Sequence, residues 1–170
     1  MKDSDDAAQP EQLSERPQSP HPNYVTPAGL ERLRIQAADL TARLLQLGSS
    51  ADPHELALLQ RDLRWVEGRL QRAIPVDPGA QAPDRVRFGM TVEVRHPNGS
   101  TEALTIVGED EAEPGTGRIS WVSPLAKALL AAGPGEEVVW QRPAGKAHLE
   151  VMAVRRPENP AHPNHQADNA

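Results

Sequence analysis

From Leu30 onward the large apolar residues recur at alternating spacings of three and four: Leu30, Leu33, Ala37, Leu40, Leu44 and Leu47. The same rhythm returns in Leu56, Leu59, Leu63, Val66, Leu70 and Ala73. A period of about 3.5 residues lines each set along one helix face. Gly48-Ser49-Ser50-Ala51 interrupts the pattern, and helix-start chemistry stands at both openings. Thr26-Pro27 supplies a capping hydroxyl and a proline suited to the first helical position. Asp52-Pro53-His54-Glu55 does the same with an acid cap and a glutamate three residues later. Two seams joined by a short polar loop predict an antiparallel coiled-coil hairpin over residues 24–74. Each arm has about 21 residues and a length of roughly 31 Å. A lone helix that short is marginal in water, so the shared seam must hold the pair.

Beyond Val86 the period changes to two. Thr91-Val92-Glu93-Val94-Arg95 alternates, and His96-Pro97-Asn98-Gly99-Ser100 carries the Asn-Gly signal of a tight hairpin. Leu104 and Ile106 share a face of the next strand. The acidic stretch Glu109, Asp110, Glu111 and Glu113 reads as a solvated turn, closed by Pro114-Gly115-Thr116-Gly117. Ile119 to Val122 is a further strand, and Ser123-Pro124 starts a short helix through Leu130, stopped by Gly133-Pro134-Gly135. Val138 to Gln141 and Ala147 to Arg155 complete the strands around a Pro143-Ala144-Gly145 turn. The fold class is therefore α+β: a helical hairpin followed, over residues 84–156, by an antiparallel sheet with one helix packed on it.

Composition sharpens the boundaries. Residues 1–23 hold five acids, four prolines and Leu13 as the one large apolar side chain, too little to offset the entropy of ordering. Residues 157–170 are similar, so both ends are expected to be disordered. Proline-rich residues 75–83 read as a linker. Of the 170 residues none is cysteine, which excludes a disulfide framework and a thiolate zinc site. The net charge of −6 resides in the tails and linker, because residues 26–73 sum to +1 and residues 84–156 to −1. A near-neutral folded part argues against general duplex binding, which needs a basic surplus. Five aromatic residues exclude extended base-stacking platforms. No apolar run approaches the roughly 20 residues of a membrane span, and the acidic N-terminus does not look like a signal peptide. A cytoplasmic protein without a membrane partner is expected.

Candidate chemistry is sparse. Asp52 and Glu55 place two carboxylates at the hairpin tip, where the helix dipole and free N–H groups would put acids in any case. With His54 they are too few to hold a metal ion alone. The arginines at 32, 34, 43, 61, 64, 69 and 72 alternate with acids as on solvated helix faces, with an RNA-facing stripe as the other reading. Ser120 and Ser123 have no base partner, since His96 falls in a turn and His148 opens a strand. No phosphate-binding glycine loop or catalytic set is present.

Four blocks in order resemble the bacterial GreA/GreB family of transcription elongation factors, over roughly residues 24–156. Phe88-Gly89-Met90-Thr91-Val92 is similar to the family's opening strand, and Ile106-Val107-Gly108-Glu109-Asp110-Glu111-Ala112 to its I-V-G-x-D-E-A segment. Ile119-Ser120 followed by Ser123-Pro124-Leu125-Ala126-Lys127-Ala128-Leu129 resembles the I-S-x-x-S-P signature. Arg142-Pro143-Ala144-Gly145 resembles the late turn, and Thr26-Pro27-Ala28-Gly29-Leu30 the start of the coiled coil. The resemblance implies a coiled-coil hairpin joined to an FKBP-like domain that docks at the RNA polymerase secondary channel. There, two tip acids help hold a magnesium ion so that the polymerase cleaves backtracked RNA.

Carried over by position, Ile119, Ser120, Ser123, Pro124, Leu125 and Ala126 become polymerase-docking candidates, and Asp52 and Glu55 the candidate tip carboxylates. The chain itself would be no enzyme and hold no cofactor, sharing at most a polymerase magnesium. Nascent RNA or DNA would be met only inside that complex. The family tip G-D-x-x-E-N-A-E-Y is reduced here to Ala51-Asp52-Pro53-His54-Glu55-Leu56. Each arm is shorter than the family's by about eight to ten residues, or roughly 12–15 Å of reach. Cleavage is sensitive to misplacement of about 1 Å, so polymerase binding with weak or no cleavage stimulation is the expectation. The alternatives are a fully active cleavage factor and a Gre-like regulator of the nucleoside diphosphate kinase regulator type. An FKBP-like prolyl isomerase is the alternative from another class, disfavoured because Phe88, Trp121 and Trp140 hardly line a proline pocket.

Overall fold

A computed structural model describes residues 13–48 and 52–157. The expectations for residues 1–12, for the loop at 49–51 and for residues 158–170 lie outside the described residues. The chain divides into two compact units: the hairpin from Arg32 to Arg72 with the segment ending at His21, and a β-rich unit of Pro22–Glu31 with the chain from Ala73 onward.

In the hairpin unit, α1 spans Pro27–Leu47, beginning in the β-rich unit, and α2 spans Pro53–Gln71. Leu33, Leu40, Leu59 and Val66 are buried. The seam residues Ala37, Leu44, Leu47, Leu56, Leu63 and Leu70 are half-buried. Off the seam, Ile35 and Leu45 are 59% and 80% exposed. The faces singled out by period are thus the ones the hairpin buries. Residues 15–18, expected to be disordered, instead lie along α2. Arg16 sits over the Trp65 ring at 4.2 Å, and the Trp65 indole N–H donates to the Pro17 carbonyl at 3.1 Å. Composition misses this because the segment is held by polar groups and one aromatic face rather than by apolar side chains of its own.

The β-rich unit holds two sheets. Strands β1 (Asn23–Val25) and β2 (Ala73–Pro75) pair in parallel, Tyr24 opposite Ile74. Neither was expected, since each is only three residues long and shows no alternation. Part of the expected linker is a 3-10 turn, Pro78–Ala80, with Pro78 buried. The main sheet has the order β5-β4-β3-β7-β6. Its strands are β3 (Thr91–Arg95), β4 (Thr101–Val107), β5 (Arg118–Ser120), β6 (Glu137–Arg142) and β7 (Gly145–Arg155).

All neighbours run antiparallel except β4 and β5, which are parallel, so the sheet is mixed. A tight turn can join only antiparallel strands, whereas β4 reaches β5 through 3-10 turns at Glu109–Glu111 and Pro114–Thr116. Between β3 and β7 the register slips at Glu93/Val94, leaving Met152 unmatched as in a bulge. Helix α3 (Pro124–Leu129) packs Ala126 and Leu129 onto Val92, Val94, Leu104, Ile106, Ile119 and Val151. Among the described residues no helix is long and apolar enough to cross a membrane.

One acid of the expected solvated loop is instead part of the interior. Glu111 is only 4% exposed. Its carboxyl group accepts from the Thr26 N–H at 3.0 Å, from the Gly108 N–H at 3.2 Å and from the Thr26 hydroxyl. The Thr26 oxygen in turn accepts from the Gly29 N–H at 3.0 Å, capping α1 as expected of Thr26-Pro27. Gly29 is required by close approach: a Cβ there would overlap the Glu111 carboxyl group.

Glu111→Ala should destabilise the protein by about 2 kcal/mol or more, because it strands two N–H groups in a buried place. Urea unfolding with an unchanged m-value checks this. A second expectation concerns Glu15. A hydrogen bond from Arg64, aided by attraction to Arg64 and Arg61, holds its carboxyl below the usual carboxylate range despite some desolvation. A lowered value in the docked state favours docking above the free-chain value and loses that contribution as the pH falls through the docked one. Amides of residues 14–20, corrected for intrinsic exchange, should therefore lose protection in acid, and Glu15→Gln should reduce that pH dependence. Asp62, which faces Arg16 and Arg61, is the other carboxylate of this contact.

Candidate functional site

The two tip carboxylates sit at the opening of α2. Asp52 is the cap, its carboxylate accepting from the His54 N–H at 3.2 Å and its carbonyl from the Leu56 N–H at 3.0 Å. Pro53 occupies the first helical position and Glu55 lies in the first turn. Both acids are exposed. Helix-start chemistry accounts for both. Among the described residues no group of three or more His, Asp or Glu side chains converges to hold a metal ion. Two exposed carboxylates can still lend oxygens to an ion held by another molecule.

The second candidate region is the corner between β5 and α3. Ser120 shapes it: its carbonyl accepts from the Ser123 N–H at 2.9 Å and its hydroxyl from the Val122 N–H at 3.3 Å. Ser123 caps α3 by accepting from the Ala126 N–H at 3.2 Å. Pro124, at the first helical position, is exposed, and Leu125 is half-buried at the edge of the core. Ile119 and Ala126 are 7% and 0% exposed. These two candidates lie in the core because strand alternation and helix period turn them inward, so they support the corner without presenting a side chain to a partner. The exposed set is extended by Lys127, three residues beyond Pro124 and so on the same helix face. Tyr24 packs edge-on against Trp121 at 5.1 Å and tilted against Phe88 at 5.9 Å. Lys127 stands inside the S-P-L-A-K motif, whereas Tyr24, a lone aromatic ahead of the first helix, carries no signal in the sequence. Trp140 lies apart on β6 beneath Arg142, so the three aromatics weighed for a proline pocket do not form one cluster.

Residues 80–156 match the family model for the C-terminal domain of the transcription elongation factors GreA and GreB. The transcription elongation factor GreB of Neisseria meningitidis serogroup B is 32% identical over 151 residues, covering 78% of this chain and 93% of the relative. The chain belongs to the GreA/GreB family. A transcription elongation factor GreA of Nitratidesulfovibrio vulgaris is 32% identical over 64% of this chain and 67% of its own. Among solved structures, GreA factor homolog 1 of Thermus thermophilus shares 26% identity over 79% of this chain and 99% of its own, with a TM-score of 0.38. In the alignment with the neisserial GreB, 78% of 170 residues is about 133, so about 18 of the 151 aligned positions have no counterpart in this Gre-family chain.

Ser123→Ala should cost about 1 kcal/mol through loss of the cap. Pro124→Glu, at an exposed first-turn position, should change stability by no more than about 0.5 kcal/mol. Urea unfolding of the two variants checks both values and separates folding from any effect on partners.

Proposed function

We propose that this Gre-family chain is an RNA polymerase-binding elongation regulator that docks at the secondary channel and stimulates transcript cleavage weakly or not at all. The observation that carries the reading is the corner at Ser120–Leu125. There an exposed proline follows the Ser123 cap, beside the buried Ile119 and Ala126 and within the residues that match the family model. Ser120, Ser123, Pro124 and Leu125, with Lys127 beside them, form the docking face. Its capped, hydrogen-bonded backbone suits binding, because a preorganised surface loses little conformational freedom on association.

The weak-cleavage part rests on length and on the tip. Helices of 21 and 19 residues span about 31 and 28 Å. The deficit of about 18 aligned positions against the neisserial GreB is consistent with arms shorter than that relative's. Asp52 is engaged in capping α2, and a catalytic ion tolerates little misplacement of its ligands. A cleavage-competent reading is favoured by one feature, the exposure of both Asp52 and Glu55.

Co-sedimentation with core RNA polymerase, followed by transcript cleavage in the same stalled and backtracked complexes, decides among these readings. The wild-type chain should bind at micromolar concentration, and Pro124→Glu should weaken binding at least tenfold. Transcripts should shorten little, and Asp52→Ala/Glu55→Ala should not alter that. Absence of binding by the folded wild type sinks the proposal. Vigorous shortening that the double variant abolishes establishes the cleavage factor instead.

A further inference from the structure

The contact between residues 15–18 and α2 has the features of a ligand in a built site. Arg61, Trp65 and Gly68 are spaced by four and three residues and share a face of α2, and Arg72, its C-cap, follows four residues on. Each of the four residues laid against that region makes a different contact. Glu15 accepts from Arg64, with Oε1 2.5 Å from Nη2 and 3.1 Å from Nε. The Arg16 guanidinium stacks over Trp65 and reaches Asp62 at 3.4 Å. The Pro17 carbonyl accepts from the Trp65 indole N–H. Gln18 uses both ends of its amide, donating to the Trp65 carbonyl at 2.9 Å and accepting from Arg72 at 2.5 Å.

Gly68 lies where the Gln18 amide approaches α2. Glycine within a helix is unfavourable compared with alanine, yet here a Cβ would come within 2.7 Å of the Gln18 amide nitrogen. A side chain there would have to displace the Gln18 amide from its present place. The occupant is also suited to exchange. Glu15 and Arg64 are 61% and 53% exposed at the side chain, and such pairs hold weakly. Prolines at 17, 20 and 22 restrict the segment before it docks, which reduces the entropy lost on binding.

We propose that this face of α2 is a peptide-binding site for a segment of the pattern acid–Arg–Pro–Gln, filled in cis by residues 15–18 and open to the same segment supplied in trans. Glu15 and Arg16 are read by charge, Pro17 through its carbonyl and Gln18 by its amide. Tethering supplies the cis copy at high effective concentration, so a competitor binds well only when that copy is disabled. The site lies in the hairpin unit and the β5–α3 corner in the β-rich unit.

The test uses the full chain and a synthetic peptide of residues 13–22, followed by the Trp65 indole N–H resonance, assigned with Trp65→Phe. In the Arg16→Ala/Gln18→Ala chain the peptide should produce a saturable shift. It should bind the wild-type chain at least tenfold more weakly, because the tethered copy competes. A peptide carrying the same two alanines should not bind. Adding Gly68→Ala to the receptor, a change that favours the helix, should weaken binding at least tenfold. Lack of any shift at millimolar peptide, equal binding by the alanine peptide, equal affinity of the two receptors, or indifference to Gly68→Ala each overturns the proposal.

Discussion

One buried carboxyl group ties together two distant segments of the β-rich unit. Glu111 accepts from Thr26 at the start of α1 and from Gly108 at the end of β4, residues far apart in sequence. Burying an acid is costly unless its oxygens are satisfied, so the site tolerates few substitutions among its donors. This links two sequence blocks that otherwise look independent. The Thr-Pro-x-Gly start of the first helix and the Asp-Glu-Ala segment after β4 are two halves of one hydrogen-bonded arrangement. Thr26 provides the cap and a hydroxyl donor, Gly29 leaves the space, and Glu111 fills it. Buried polar networks reward completeness: satisfied, they specify a single arrangement, and broken, they leave several groups unpaired.

Helix starts are also where the functional candidates gather. Asp52 and Ser123 both accept from early N–H groups of the helices they open. The chemistry needed to begin a helix uses the same residues that a metal or a partner would use, so residue type alone cannot separate the roles. Exposure separates them in part. Pro124 and Lys127 face outward from α3, whereas Ile119 and Ala126 do not. The outward-facing part of the motif is therefore narrower than the motif itself, and several of its residues serve to build the corner.

The hairpin illustrates a similar economy. Its seam is narrow and its arms are short, and the polar segment at residues 15–18 adds contacts to α2 without adding apolar side chains. Gly68 is costly in an isolated helix and becomes intelligible only with Gln18 beside it. Local preference yields to a tertiary contact at that position.

The sequence alone was sufficient for the hairpin, for strands β3, β4, β6 and β7, for the Ser123 cap and for the family. Each of these rests on periodicity or on short-range chemistry that acts within a few residues. Leu33 and Val66 are inside, and Ile35 and Leu45 outside, as helical spacing requires. What escaped it depends on partners distant along the chain. The parallel pairing of β1 with β2 exists because Asn23–Val25 and Ala73–Pro75 meet after the helices intervene. The parallel β4–β5 pair follows from the path of the connection rather than from either strand. Glu111 looks like any acid in a polar turn until Thr26, 85 residues away in the chain, meets it. Residues 15–18 look unstructured until Trp65 offers a ring and an indole N–H. Periodicity reports which face of an element is buried; only the tertiary structure decides which polar group meets which, because a hydrogen bond between distant segments leaves no repeat in the chain.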